Sequence, residues 1–123
     1  MARVDFLARI EELIRVNLPP SAARALDVRR MARHCVETAE GKGLITERAI
    51  AAFTLHMVRI NPEFYRQPTM ASLLEDISVD ESTRMEQLLT DPSEEAWEEA
   101  AVMCDPGLYW QPFRVPVPPT LDP

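Results

Sequence analysis

Apolar residues recur along this chain at intervals of three and four, in separate blocks that each predict a helix. The first block carries Phe6, Leu7, Ile10, Leu13, Ile14 and Leu18, with Arg9, Glu11, Glu12 and Arg15 mostly on the other side. It predicts a helix from Val4 to Leu18, stopped by Pro19-Pro20, whose rings cannot continue the hydrogen-bond ladder. Ser21 is placed to cap a second helix reaching about Glu40. Its buried face is Ala25, Val28, Ala32, Cys35, Val36 and Ala39, widened by Leu26 and Met31. Gly41 and Gly43 then supply a C-terminal stop. Thr46 is the expected N-cap of a third helix carrying Ile50, Phe53, Met57 and Ile60. Ile45 and Ile50 stand at the positions of a hydrophobic staple. Asn61-Pro62 ends that helix, because a residue before proline is pushed out of the helical region.

After a short turn at Glu63-Phe64-Tyr65-Arg66-Gln67, Pro68 suits the first position of a fourth helix with Met70, Leu73, Leu74 and Ile77 inward. Two capping boxes follow. Ser78-Val79-Asp80-Glu81 opens a helix with Met85, Leu88 and Leu89 inside. Asp91-Pro92-Ser93-Glu94 opens another with Trp97, Ala100, Ala101 and Cys104 on one face. The pattern then changes. Residues 105–123 hold Pro106, Pro112, Pro116, Pro118, Pro119 and Pro123, together with Leu108, Tyr109, Trp110, Phe113, Val115 and Val117. So many prolines predict an extended, polyproline-like chain, and the apolar residues between them predict one ordered by packing or by a partner. The expectation is an all-α fold: a compact bundle of about six short helices over residues 1–104, then an extended Pro-rich tail over 105–123.

Composition sharpens this in two respects. Only 3 of 123 residues are glycine, too few for the turns of a hairpin-rich β fold or for a phosphate-cradling loop. The net charge is −7, and it is unevenly spread. Residues 1–66 carry 11 bases and 8 acids; residues 67–123 carry 2 bases and 12 acids. The acidic balance argues against nucleic acid as the partner, and the asymmetry suggests two different surfaces. No stretch reaches the ~20 apolar residues of a membrane span, and the N-terminal residues lack the apolar run of a signal peptide. The expected location is cytoplasmic. Cys35 and Cys104 then read as reduced thiols, with a single disulfide in an exported protein as the alternative.

Candidate chemistry is sparse. His34, His56, Cys35 and Cys104 are the soft metal ligands, and no pair of them has a binding spacing, so no metal or cofactor is expected. His34 reads as a surface residue and Cys35 as core. His56, with Glu63 nearby, is the one candidate general base, but no nucleophile or oxyanion motif accompanies it. The carboxylate pairs, among them Glu75-Asp76, Glu94-Glu95 and Glu98-Glu99, read as solvated helix faces and first-turn charges. Arg24, Arg29, Arg30 and Arg33 read as the wet side of their helix or a surface for an acidic partner. The aromatic doublets Phe64-Tyr65 and Tyr109-Trp110, with Phe113, are candidate interface anchors, and Glu94, Glu95 and Glu98 a candidate charged surface beside them. The competing reading is that these rings complete the protein's own core. The residues therefore favour a non-enzymatic protein-binding module, with a homo-oligomer left open.

The run Gly43-Leu-Ile-Thr-Glu-Arg-Ala-Ile, then Phe53, Ile60-Asn-Pro-Glu-Phe-Tyr-Arg-Gln-Pro, Ser72-Leu-Leu-Glu-Asp and Arg84-Met-Glu-Gln-Leu-Leu, resembles a helical pattern of small proteins and domain tails associated with bacterial type VI secretion. The likeness covers residues 43–97. The acidic run 94–99 and the Pro-rich ending have no counterpart in it. It implies a cytoplasmic adaptor or co-adaptor that binds a secretion effector or its loading chaperone. The alternative it implies is an immunity protein that neutralises a cognate toxin by direct binding.

Overall fold

A computed structural model describes residues 2–116 of the chain. They form eight α-helices and two single 3-10 turns, with one isolated β-bridge and no strand among the described residues. The protein is all-α. Helix α1 (Ala2–Val16) buries Phe6, Ile10 and Ile14 as the stripe predicts. Asn17 closes it, its side-chain amide donating to Leu13 O at 2.8 Å.

The helix expected from Ser21 to Glu40 is two helices. α2 (Pro20–Ala25) starts on Pro20, and α3 (Val28–Gly41) starts after Asp27, whose carboxylate accepts from Arg30 N–H at 3.1 Å. The chain between them is extended at Leu26. The break has a physical reason. It frees main-chain groups that pair with the C-terminal segment: Asp27 N–H donates to Phe113 O at 2.7 Å, Val115 N–H donates to Ala25 O at 2.9 Å, and Leu26 and Arg114 form the antiparallel bridge. A continuous helix would have spent those groups internally.

Helix α3 ends in a Schellman motif. Gly43 N–H bonds Glu40 O at 2.9 Å and Leu44 N–H bonds Ala39 O at 3.2 Å. The motif needs a left-handed residue, and Gly43 supplies it at φ +86°. It also draws Leu44 into the core. Ile45 is thereby turned outward, 83% exposed, so the staple expected with Ile50 is not formed. Helix α4 (Glu47–Arg59) begins at Thr46 as expected, the hydroxyl accepting from Ala49 N–H at 3.2 Å.

A 3-10 turn (Phe64–Arg66) leads into α5 (Pro68–Glu75), α6 (Glu81–Thr90) and α7 (Glu94–Ala101). Both capping boxes are displaced by two residues: Asp80, not Ser78, caps α6, and Ser93, not Asp91, caps α7. Ile77 and Leu89, expected inside, are 90% and 60% exposed. Ile77 lies beyond the end of α5, and Leu89 lies at an opening between α6 and α4. Arg84 is buried and donates to Leu74 O at 2.7 Å, closing the C-terminal end of α5.

The expected extended tail is also corrected. Pro106–Trp110 is helical (α8), and Gln111–Phe113 is a 3-10 turn. Pro106 and Pro112 each sit in a first turn, where the missing N–H costs nothing, and the Asp105 carboxylate accepts from Gly107 and Leu108 N–H. Val117, Pro118, Pro119 and Pro123 lie outside the described residues. Helices α1, α3 and α4 pack on one another, and α5, α6, α7 and the Phe64 turn pack beside them. Phe53, Phe64, Met31 and Met57 fill the space between.

Candidate functional site

A groove of about 350 Å³ opens between α4 and α6. Helix α4 contributes Ala49, Ala52 and His56, three residues on one stripe two turns long. Helix α6 contributes Met85, Glu86 and Leu89, with Ser82 one turn earlier. The two helices start side by side because Glu81 joins them. Its carboxylate accepts from Ile45 N–H at 2.5 Å and Thr46 N–H at 3.0 Å, and from the Thr46 hydroxyl. Burial acts to raise the Glu81 carboxyl, but these hydrogen bonds outweigh it and hold the group below its usual range. Exposed Leu89 lies at the rim.

His56 is buried at the groove's wall, and Nδ1 lies 2.7 Å from Ala52 O. A carbonyl can only accept, so Nδ1 carries the proton. Burial lowers the pKa of the ring, and the bond to Ala52 offsets this only partly, so the ring is neutral at pH 7. It packs against Phe64 at 5.2 Å and Trp97 at 5.9 Å between centroids, which sets α7 at that end of the groove. Glu63, paired with His56 in the sequence reading, instead bonds Arg66 at 3.2 Å.

The aromatic candidates separate into two groups. Phe64 is fully buried against Phe53, and Tyr65 is half-buried with the Lys42 ammonium 4.6 Å from its ring centre. Trp110 is 7% exposed and belongs to the protein's own core. Tyr109 and Phe113 are half-buried, and all three rings of the C-terminal segment surround His34 at 5.2–5.9 Å. His34 is thus not a surface residue: its Nε2 lies 2.6 Å from the Tyr109 hydroxyl. Burial lowers the His34 pKa, only partly countered by Glu37, and burial with the Tyr65 hydroxyl raises that of Tyr109. Arg30 holds the same segment, donating to Pro112 O at 3.0 Å with its guanidinium 5.0 Å from the Phe113 ring centre.

Glu94, Glu95 and Glu98 are exposed on α7. Glu94 stands one turn before Trp97, whose ring packs on His56 at 5.9 Å. Arg24, Arg29, Arg30 and Arg33 are exposed, and Arg29 lies 3.7 Å from Glu11. Cys35 is core, its thiol pushed up to about 12 by burial; Cys104 donates to Asn61 Oδ1 at 3.2 Å, and both are free thiols. Among the described residues no three His, Cys, Asp or Glu side chains converge as metal ligands, and no helix is long and apolar enough to cross a membrane. The groove itself escapes sequence reasoning. Ala49 and Ala52 look like ordinary helix formers, and Leu89 like a core residue; the one available signal is the small residue at both 49 and 52. No family model, curated protein or solved structure matches the chain.

Proposed function

We propose that this chain is a non-enzymatic protein-binding module, a cytoplasmic adaptor or co-adaptor that binds a type VI secretion effector or its loading chaperone. The observation that carries the binding reading is the groove between α4 and α6. It is two helical turns long, with Ala49 and Ala52 of α4 and Met85 and the exposed Leu89 of α6 as its apolar lining and Arg48, Glu81 and Glu86 as its charged groups. Apolar clefts next to a charged rim are what protein interfaces use for anchoring and steering. His56 supports it from the other side: its ring is fixed and neutral, with Nδ1 committed to a backbone carbonyl. The secretion context comes from the sequence resemblance over residues 43–97.

A second reading is an immunity protein. It is favoured by the exposed Glu94, Glu95 and Glu98, which match a basic toxin cleft in sign. Co-expression with the proteins encoded beside it separates the two. A stable complex with an effector or adaptor, without rescue of cell growth, is the expected result. Growth rescue from a neighbouring toxin assigns the immunity role instead. Turnover of a substrate by the purified protein, abolished by His56→Gln, would overturn both.

A further inference from the structure

We infer that the groove between α4 and α6 receives a basic amphipathic helix of another protein, laid along it with its apolar stripe inward and its Lys and Arg side toward α6 and α7. This rests on the binding-module reading and adds the chemistry of the partner. Three observations carry it. The first is shape. Ala49 and Ala52 carry nothing beyond Cβ, so the α4 side of the groove lets another backbone come as close as helices pack, about 8–10 Å between axes. The wall residues on each side span seven positions, about 10 Å of helix, which matches anchors at i, i+3 or i+4, and i+7.

The second is the unspent apolar surface. Leu89 projects from α6 with 60% of its surface in water, beside Met85 in the wall. A leucine side chain gains by leaving water, so a partner that covers it gains affinity without rearranging the fold.

The third is charge. Glu86 stands in the α6 wall, and Asp91, Glu94 and Glu95 follow it, all exposed. Arg48, on the α4 wall, is the one base lining the groove. A bound helix is therefore drawn in by positive residues on its α6-facing side. His56 adds one polar feature: with Nδ1 donating to Ala52, its Nε2 is left as an acceptor that suits a donor such as Lys or Arg.

The test is selection from a displayed library of 18-residue helices randomised on a common scaffold, with the full-length protein as bait. The expected binders carry an apolar i, i+4, i+7 stripe flanked by Lys and Arg. Their affinity falls at least tenfold for Leu89→Arg and for Ser82→Arg. Both substituted residues are exposed, and circular dichroism checks that both variants stay folded. Binding also weakens as salt is raised from 50 to 500 mM. Selected helices that are acidic or neutral, binders indifferent to both substitutions, or no selected binder at all would each overturn the inference. So would a concentration-dependent dimer that Leu89→Arg abolishes, which would give the groove to a second copy of this chain. A complex with a neighbouring gene product that survives both substitutions would sink this placement while leaving the binding-module reading intact.

Discussion

Glu81 satisfies the start of a helix that is not its own. Its carboxylate takes the Ile45 and Thr46 amides and the Thr46 hydroxyl, and the same Thr46 hydroxyl oxygen caps α4. Hydrogen bonds to a charged acceptor are stronger than neutral ones, but solvent reaches this site and weakens them. Glu81→Ala should cost about 1–2 kcal/mol, read from the urea midpoint, with Glu81→Gln losing less. A variant as stable as the parent would show that water replaces the carboxylate without loss. The bond also explains why the first capping box misled. Ser78 is taken by Asp76, its hydroxyl donating at 2.5 Å, and Glu81 is taken by Thr46, so Asp80 is left to open α6. Residue types within three positions were legible, but the choice between two capable caps was decided by what took Ser78 and Glu81, and the partner of Glu81 lies 35 residues away. Gly43 is the opposite case, a residue whose role was readable because glycine after a helix has few other uses. Gly43→Ala should lose about 1 kcal/mol from φ +86° alone, although a Cβ there would meet nothing within 4 Å.

At the scale of elements, the apolar period located the helices well where one face meets the core and poorly where a second segment competes. The α2–α3 break at Leu26-Asp27 could not be read locally, because no proline or glycine marks it. What sets it is the return of the chain at Phe113 to Val115. The return was half legible. Tyr109, Trp110 and Phe113 announced an ordered segment, but six prolines suggested extension, and their positions matter more than their number: Pro106 and Pro112 lie in first turns. The candidate groove was not legible at all, since it depends on which side of α6 faces α4. Two variants probe the returning segment. Trp110→Ala should destabilise by about 3–5 kcal/mol, the usual cost of emptying an aromatic site. Asp27→Ala should cost about 1 kcal/mol through the lost cap on α3. Chemical denaturation measures both. If Trp110→Ala leaves the midpoint unchanged, the segment is not held on α3 in solution, and its rings become free to meet a partner.

For the molecule as a whole, charge and burial make opposite demands on its response to acid. The formal charge is −7, so binding protons relieves self-repulsion and favours the folded state. Both histidines, however, sit where burial lowers the pKa below the ordinary 6.5. A group with a depressed folded pKa binds more protons when unfolded, so stability rises with pH across its window. The contribution is fully present above about pH 6.5 and is lost as pH falls through the folded value of each ring. The carboxylates Asp80 and Glu81, also lowered by their hydrogen bonds, act in the same direction but only below about pH 4.5. The local effect should win between the two windows. The surface charges are screened beyond roughly 8 Å at physiological salt, whereas His56 is enclosed by Phe64 and Trp97, and His34 by three rings. The urea midpoint should therefore drop between pH 7.5 and pH 5, above the range in which Asp80 and Glu81 lose their charge. The slope should flatten in a His34→Gln, His56→Gln double variant compared with the parent at each pH. For His34 the drop carries a structural signature: its ring lies 2.6 Å from the Tyr109 hydroxyl and against all three rings of the C-terminal segment, so charging it should loosen α8 from α3 first. Amide exchange at 108–113 that speeds up at pH 5, after correction for intrinsic rates, would show it. A midpoint that stays level or rises toward pH 5 would mean that relief of the −7 charge outweighs the cost of two buried imidazolium rings.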